Sequence, residues 1–122
     1  MKSAIASVLW FLVAFSLLGC TSRGPREVAE HYLDALARLD FGAAASDVAD
    51  EGKASLELIA QLHQTLTADE QEKFRLRDWQ VTGHQQQANR ATVDFVFDTT
   101  KIGQLTLINY AGTWKVVSRK TF

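Results

Sequence analysis

The sequence predicts an α+β domain, with helices first and an antiparallel sheet last. Three observations predict it. Apolar residues recur at helical spacing from Val28 to Leu66. From Leu76 onward the period shifts to two. One cysteine in 122 residues leaves no internal disulfide, so stability rests on a packed core.

The elements follow in order. Pro25 suits a first helical turn, where no amide donor is needed, and Glu27 sits favourably near the positive end of the helix. Val28, Tyr32, Leu36 and Leu39 recur at helical spacing, and Ala29, Leu33 and Ala35 widen the stripe. The other face carries Glu27, Glu30, His31, Asp34 and Arg38, so an amphipathic helix is expected over 25–39. Asp40 can cap a second helix, from Phe41 to about Ala49. Asp50-Glu51-Gly52 breaks the pattern. Leu56, Ile59, Leu62 and Leu66 then mark a third helix from Lys53. Thr67-Ala68-Asp69-Glu70 matches a capping box and opens a short helical turn to about Phe74.

Strands are expected next. Leu76 to Thr82 reads as a mixed strand and Gly83 to Asn89 as a polar turn. Ala91, Val93, Phe95 and Phe97 alternate with Thr92, Asp94, Val96 and Asp98, a half-buried strand. Leu105, Leu107 and Asn109 alternate with Thr106, Ile108 and Tyr110 in another. Ala111-Gly112 makes a tight turn into a last strand, where Trp114, Val116 and Ser118 alternate with Lys115, Val117 and Arg119.

The chain opens differently. Lys2 is the only charge before Arg23, and an apolar run fills Ala4 to Leu18. A basic start and an apolar stretch of roughly 15 residues are the layout of a secretory leader. The run is shorter than the roughly 20 residues of a membrane-spanning helix. Adding Gly19 to Ser22 makes a marginal span, which keeps an uncleaved anchor open. Leu17-Leu18-Gly19-Cys20 resembles the lipobox of bacterial lipoproteins. The resemblance implies that the Cys20 thiol carries diacylglycerol, that residues 1–19 are cleaved as a signal peptide, and that the new amino group is often acylated. Two or three chains would give lasting membrane attachment, because one alone holds only marginally. With two membranes in the host, Thr21 rather than Asp after Cys20 favours the outer membrane, facing the periplasm.

Residues 20–24 then form the lipidated cysteine and a polar tether. At about 3.5 Å per residue it reaches less than roughly 20 Å, which keeps one domain, 25–122, near the membrane. Removing residues 1–19 from a chain of 122 leaves 103, enough for one core. Losing Lys2 leaves 12 basic against 14 acidic residues, a formal charge near −2. With no basic block, nucleic acid is not an expected partner.

A second resemblance covers the mature domain. Pro25 to Leu36 with Leu39-Asp40-Phe41-Gly42-Ala43-Ala44, the strand Arg90-Ala91-Thr92-Val93-Asp94-Phe95, and the ending Tyr110-Ala111-Gly112-Thr113-Trp114-Lys115-Val116-Val117 resemble the nuclear-transport-factor-2-like superfamily. The likeness is greatest to its bacterial lipoprotein branch of unknown function. It implies a cystatin-like cone, a curved antiparallel sheet wrapped around the first helix, with a pocket at the open end. It implies no activity, since the superfamily holds enzymes, ligand binders and scaffolds. Many members dimerise through the sheet.

Candidate functional residues are few. The superfamily's isomerases and dehydratases place an acid or histidine base and a Tyr or Asp donor in the cone. The possible counterparts here are Tyr32, Asp94, Asp98 and Tyr110. Tyr32 reads equally as a core aromatic, and Asp94 and Asp98 as the solvent face of a strand. His31 and Asp34 share a helical stripe with Glu27 and Arg38, the pattern of a solvated, ion-paired face. His63 and His84 stand on separate elements, with no metal-ligand spacing. Trp79 and Trp114 read as packing. No cofactor is expected and no residue is assigned as catalytic. The leading expectation is therefore a non-enzymatic envelope lipoprotein that binds a membrane-proximal protein or a small ligand. A cone-pocket isomerase or dehydratase is the second reading, and a homodimeric scaffold the third.

Overall fold

The computed structural model describes residues 23–122. The leader, the lipobox residues Leu17, Leu18 and Gly19, and Cys20 lie outside the described residues. Among the described residues four helices come first: α1 Pro25–Ala37, α2 Phe41–Ala45, α3 Asp50–Gln64 and α4 Ala68–Lys73. Four strands follow: β1 Gln80–Gln87, β2 Arg90–Phe97, β3 Lys101–Tyr110 and β4 Thr113–Thr121. The strands form one antiparallel sheet in sequence order. The α+β architecture is as expected.

One core joins the layers. β2 buries Ala91, Val93, Phe95 and Phe97, the alternation its sequence carries. Leu105 and Leu107 of β3, with Trp114 and Val116 of β4, extend the same face. α1 covers it with Val28, Ala29, Tyr32, Leu33, Ala35 and Leu36. α1 stops at Ala37, two residues before the expected end. Leu39 turns left-handed at φ 57°, and the Asp40 amide donates to the Ala35 carbonyl at 2.8 Å, closing a Schellman motif. The Asp40 carboxylate then accepts from the Ala43 amide at 3.0 Å and caps α2.

Two further helical boundaries differ from expectation, the end of α2 and the start of α3. α2 ends at Ala45 rather than Ala49, because the chain switches to sheet-like pairing. The Val116 amide donates to the Asp47 carbonyl at 2.7 Å and the Ala49 amide to the Val116 carbonyl at 2.9 Å. This covers part of the β4 edge, which would otherwise be unpaired. α3 begins at Asp50, where Lys53 was expected. Asp50 and Glu51 occupy its first turn, where the helix dipole favours carboxylates. Gly52 is the close approach to the segment that follows α2, since a Cβ there would stand 2.7 Å from Val48 Cγ1. The capping box at Thr67 and Glu70 forms as read and starts α4.

The first strand lies later than expected. Residues 83–87, expected in a turn, pair with β2, and the turn is Ala88-Asn89. β1 is the sheet edge and exposes most of both faces, so its residues carry no alternation to read. The β3–β4 turn is Ala111-Gly112 as expected, with φ of 54° and 95°, the double positive φ that a tight hairpin favours.

β4 departs from its expected parity. Thr106 pairs with Ser118 but Leu107 pairs with Val116, which leaves Val117 as an extra residue in a bulge. Beyond it, facing reverses. Leu105, fully buried, is paired with Arg119, so Arg119 shares the core-side face and Ser118 does not.

Candidate functional site

The bulge positions the site. Arg119 is carried onto the inner face near Tyr32 and the ring of Phe97, with its guanidinium carbon 5.9 Å from the ring centroid. α3 lies opposite and buries only Leu56. A cleft remains between them, in two lobes. One, of about 360 Å³, runs past Val48, Glu51, Gly52 and Ser55 along Val116 to Ser118. The other, of about 290 Å³, runs past Leu36, Phe41, Lys73 to Leu76, Phe97, Asp98 and Lys101. Tyr32, Leu56, Ile59 and Arg119 line both. Volumes near 300 Å³ lie at the lower end of small-molecule sites.

Tyr32 is the polar group at the floor of this cleft. Only 7% of it is exposed, and among the described residues no side chain hydrogen-bonds its hydroxyl. Burial raises its pKa above the ordinary phenol range, while the positive charge of Arg119 pulls it the other way. The phenol therefore stays protonated at neutral pH, as a donor and acceptor rather than a base. On the rim, Lys101 reaches Asp98 at 3.3 Å and stands 5.8 Å from the Phe97 centroid. Arg75 forks onto Glu72 at 3.0 and 3.1 Å and donates to the Ala37 carbonyl at 2.8 Å. The Arg75 hydrogen bond is the main cause holding the Glu72 carboxyl below its ordinary range.

The residues grouped from the sequence do not converge. Tyr32 reaches the cleft. Asp94 is half-buried on the opposite face of β2, since its neighbours Val93 and Phe95 face the core, and it accepts from Gln104 at 2.9 Å. Tyr110 lies near the tip of β3, donating to Glu51 at 2.9 Å. That bond is the first cause raising its pKa. Asp98, read as strand surface, lines the second lobe.

His31 finds a partner that spacing could not show. Its Nδ1 contacts the Asp47 carboxylate, which is 5% exposed. Arg23 stands 3.9 Å from the other Asp47 oxygen. Asp34 instead accepts from Arg38 at 3.0 Å on the exposed face. His31–Asp47 ties α1 to the segment that edges β4, away from the cleft lining. His63 packs edge-on to Phe41 at 5.2 Å, with its Nε2 buried and unpartnered among the described residues. His84 is exposed on β1, Trp114 is core, and Trp79 packs partly against the core. Among the described residues, no three His, Cys, Asp or Glu side chains group to hold a metal ion. No described helix is long and apolar enough to cross a membrane.

Arg119, Phe97, Lys101 and Asp47 were not among the residues singled out for function from the sequence. The one local signal for Arg119 was the adjacent pair Val116-Val117, which breaks strict alternation and permits a bulge.

No family model matches the chain, and no curated protein matches it. Among solved structures, it is similar to the solution structure of a SEC-C motif containing protein from Rhodopseudomonas palustris. The TM-score is 0.54 at 13% identity, covering 80% of this chain and 78% of that one. At that identity the likeness concerns the fold alone.

Proposed function

We propose that this chain is an exported, lipid-anchored envelope protein whose single domain binds a small ligand and does not catalyse a reaction. The observation that carries the binding reading is the two-lobed cleft, with Tyr32, Leu56, Ile59 and Arg119 common to both lobes. Apolar walls with a few convergent polar groups are the ordinary make-up of a ligand site. The anchoring reading is supported by the apolar leader and by a sole cysteine placed at Cys20. The described domain begins directly after the short tether. The finer architecture we propose is the nuclear-transport-factor-2-like cone. Its support is α1 laid across a four-stranded meander, with the cleft between that face and α3.

The binding reading is favoured over an isomerase-like one by the separation of the polar groups. Asp94 faces away from Tyr32, and Tyr110 is bonded to Glu51 at the surface. An enzyme of that kind needs its base within hydrogen-bond reach of the reacting atoms, beside its donor.

Two measurements test this. Cys20→Ser should leave the leader uncleaved by the lipoprotein route and remove acyl mass from the product; normal processing with retention in the membrane fraction overturns the anchor. For the cleft, a diazirine-bearing decanol should label peptides holding Leu56, Ile59 and Phe74 in the full chain, held in lipid nanodiscs. Ile59→Asp should suppress that labelling. Labelling that ignores the substitution overturns the ligand site.

A further inference from the structure

We infer that the cleft selects amphipathic carboxylates, with the acid head against Arg119 and the apolar body along Leu56, Ile59 and Phe74. This rests on the ligand-site reading above and specifies its chemistry.

Charge is the first argument. The whole chain has a formal charge of −1, yet the smaller lobe is walled by Lys73, Arg75, Lys101 and Arg119 against the one carboxylate of Asp98. Two of those cations are occupied: Arg75 by Glu72 and the Ala37 carbonyl, and Lys101 by Asp98. Arg119 has no carboxylate within 4.0 Å among the described residues; its guanidinium stands over Phe97 instead. A guanidinium held beside an aromatic face presents a planar fork that matches a carboxylate in two parallel hydrogen bonds. The Tyr32 hydroxyl, also at this junction of the lobes, supplies a further donor.

The apolar side is the second argument. Ile59 is 46% exposed and Phe74 55% exposed, and both line the lobe. Leu62, one turn beyond Ile59 on α3, is 55% exposed. Ile59 and Phe74 thus line the lobe while half exposed, uncovered by the domain itself. A ligand body lying there removes them from water, at about 25 cal/mol per Å² of apolar area. A small inorganic anion would leave them exposed, and an amine would meet Lys73 and Arg119, which have no carboxylate within 4.0 Å among the described residues. A carboxylate joined to an alkyl or aryl body satisfies both walls together.

The experiment compares three photoprobes of equal chain length on the full chain in lipid nanodiscs: diazirine-bearing decanoate, decanol and decylamine. Labelled residues are located by tandem mass spectrometry. Decanoate should half-saturate the cleft peptides at a concentration about five- to tenfold lower than decanol, the advantage of one partly exposed charge-assisted pair. Decylamine should label them least. Arg119→Gln should erase the advantage of decanoate, and Arg119→Lys should keep only part of it. Arg119 is exposed on its strand, so neither variant removes core. If decanoate and decanol label the cleft alike, the carboxylate assignment is overturned and the ligand site stands. If neither probe labels it, both fall. Probe-independent dimers that leave the cleft unlabelled would assign it to a second copy and also overturn the inference.

Discussion

Gly103→Ala is the sharpest test of how the sheet supports the cleft. Gly103 of β3 is paired with Phe95 of β2, and the Phe95 ring is fully buried. A Cβ built on Gly103 would meet the ring tip head-on, closest to Cζ, with Cε1 at 2.8 Å and Cε2 at 2.9 Å. Carbon–carbon contacts become comfortable only at about 3.5 Å, so Cε1 alone must retreat by roughly 0.7 Å and the ring tip by more. It has nowhere empty to go. Its centroid stands 5.7 Å from that of Phe97, and Phe97 is the cleft wall that carries Lys101 and Arg119 on its ring. Overpacking of this kind costs about 1–3 kcal/mol. For a domain of about 100 residues that lowers Tm by roughly 5–15 °C. The assay is thermal unfolding of the full chain in mild detergent, followed by far-ultraviolet circular dichroism. Phe95→Leu makes the second arm, because it removes the ring atoms that clash. The double variant should be less destabilised than the sum of the two single changes by at least about 0.5 kcal/mol. A Gly103→Ala protein that melts within about 1 °C of the parent would refute the argument. So would strict additivity in the cycle, since the Cβ and the ring would then not share space.

Three further outcomes are expected. Asp47→Ala should lower the urea midpoint, with an unchanged slope and a loss of about 1–3 kcal/mol, by stripping His31 of its buried acceptor; an unchanged midpoint counts against the pair. On α3, Leu56→Ala should cost about 2–4 kcal/mol and Leu62→Gln less than about 0.5 kcal/mol, since Leu56 is 6% exposed and Leu62 55%. Equal effects would mean that α3 is rotated from the arrangement described. Tyrosine absorbance at high pH should show two phenols ionising above the ordinary value of about 10. Tyr32 is raised by burial, so its share of the stability is present below that value and lost as pH rises through the folded-state pKa. Glu51→Gln should bring the Tyr110 titration down, and Arg119→Gln should push that of Tyr32 further up; titrations indifferent to both changes would contradict the two contacts.

Legible from local pattern alone are the order of helices and strands, the stripe of α1, the caps at Asp40 and Thr67, the inward face of β2 and the hairpin at Ala111-Gly112. Each of these is set within a few residues of itself, by periodicity, a side chain bonding its neighbouring amides, or a positive φ. The remaining features depend on contacts between distant parts of the chain. α3 starts at Asp50 because Gly52 can close on Val48, and β1 is a strand at its glutamines because Arg90 to Val93 pair with it. His31 binds Asp47 across 16 positions of chain, and Asp94 points away from Tyr32 because β2 turns its other face to α1. Arg119 enters the cleft through one extra residue, Val117, in a ladder whose other strand has no counterpart. Local pattern cannot register that, because the parity of a strand is set by the partner it pairs with, and a single unpaired residue reverses every side chain beyond it.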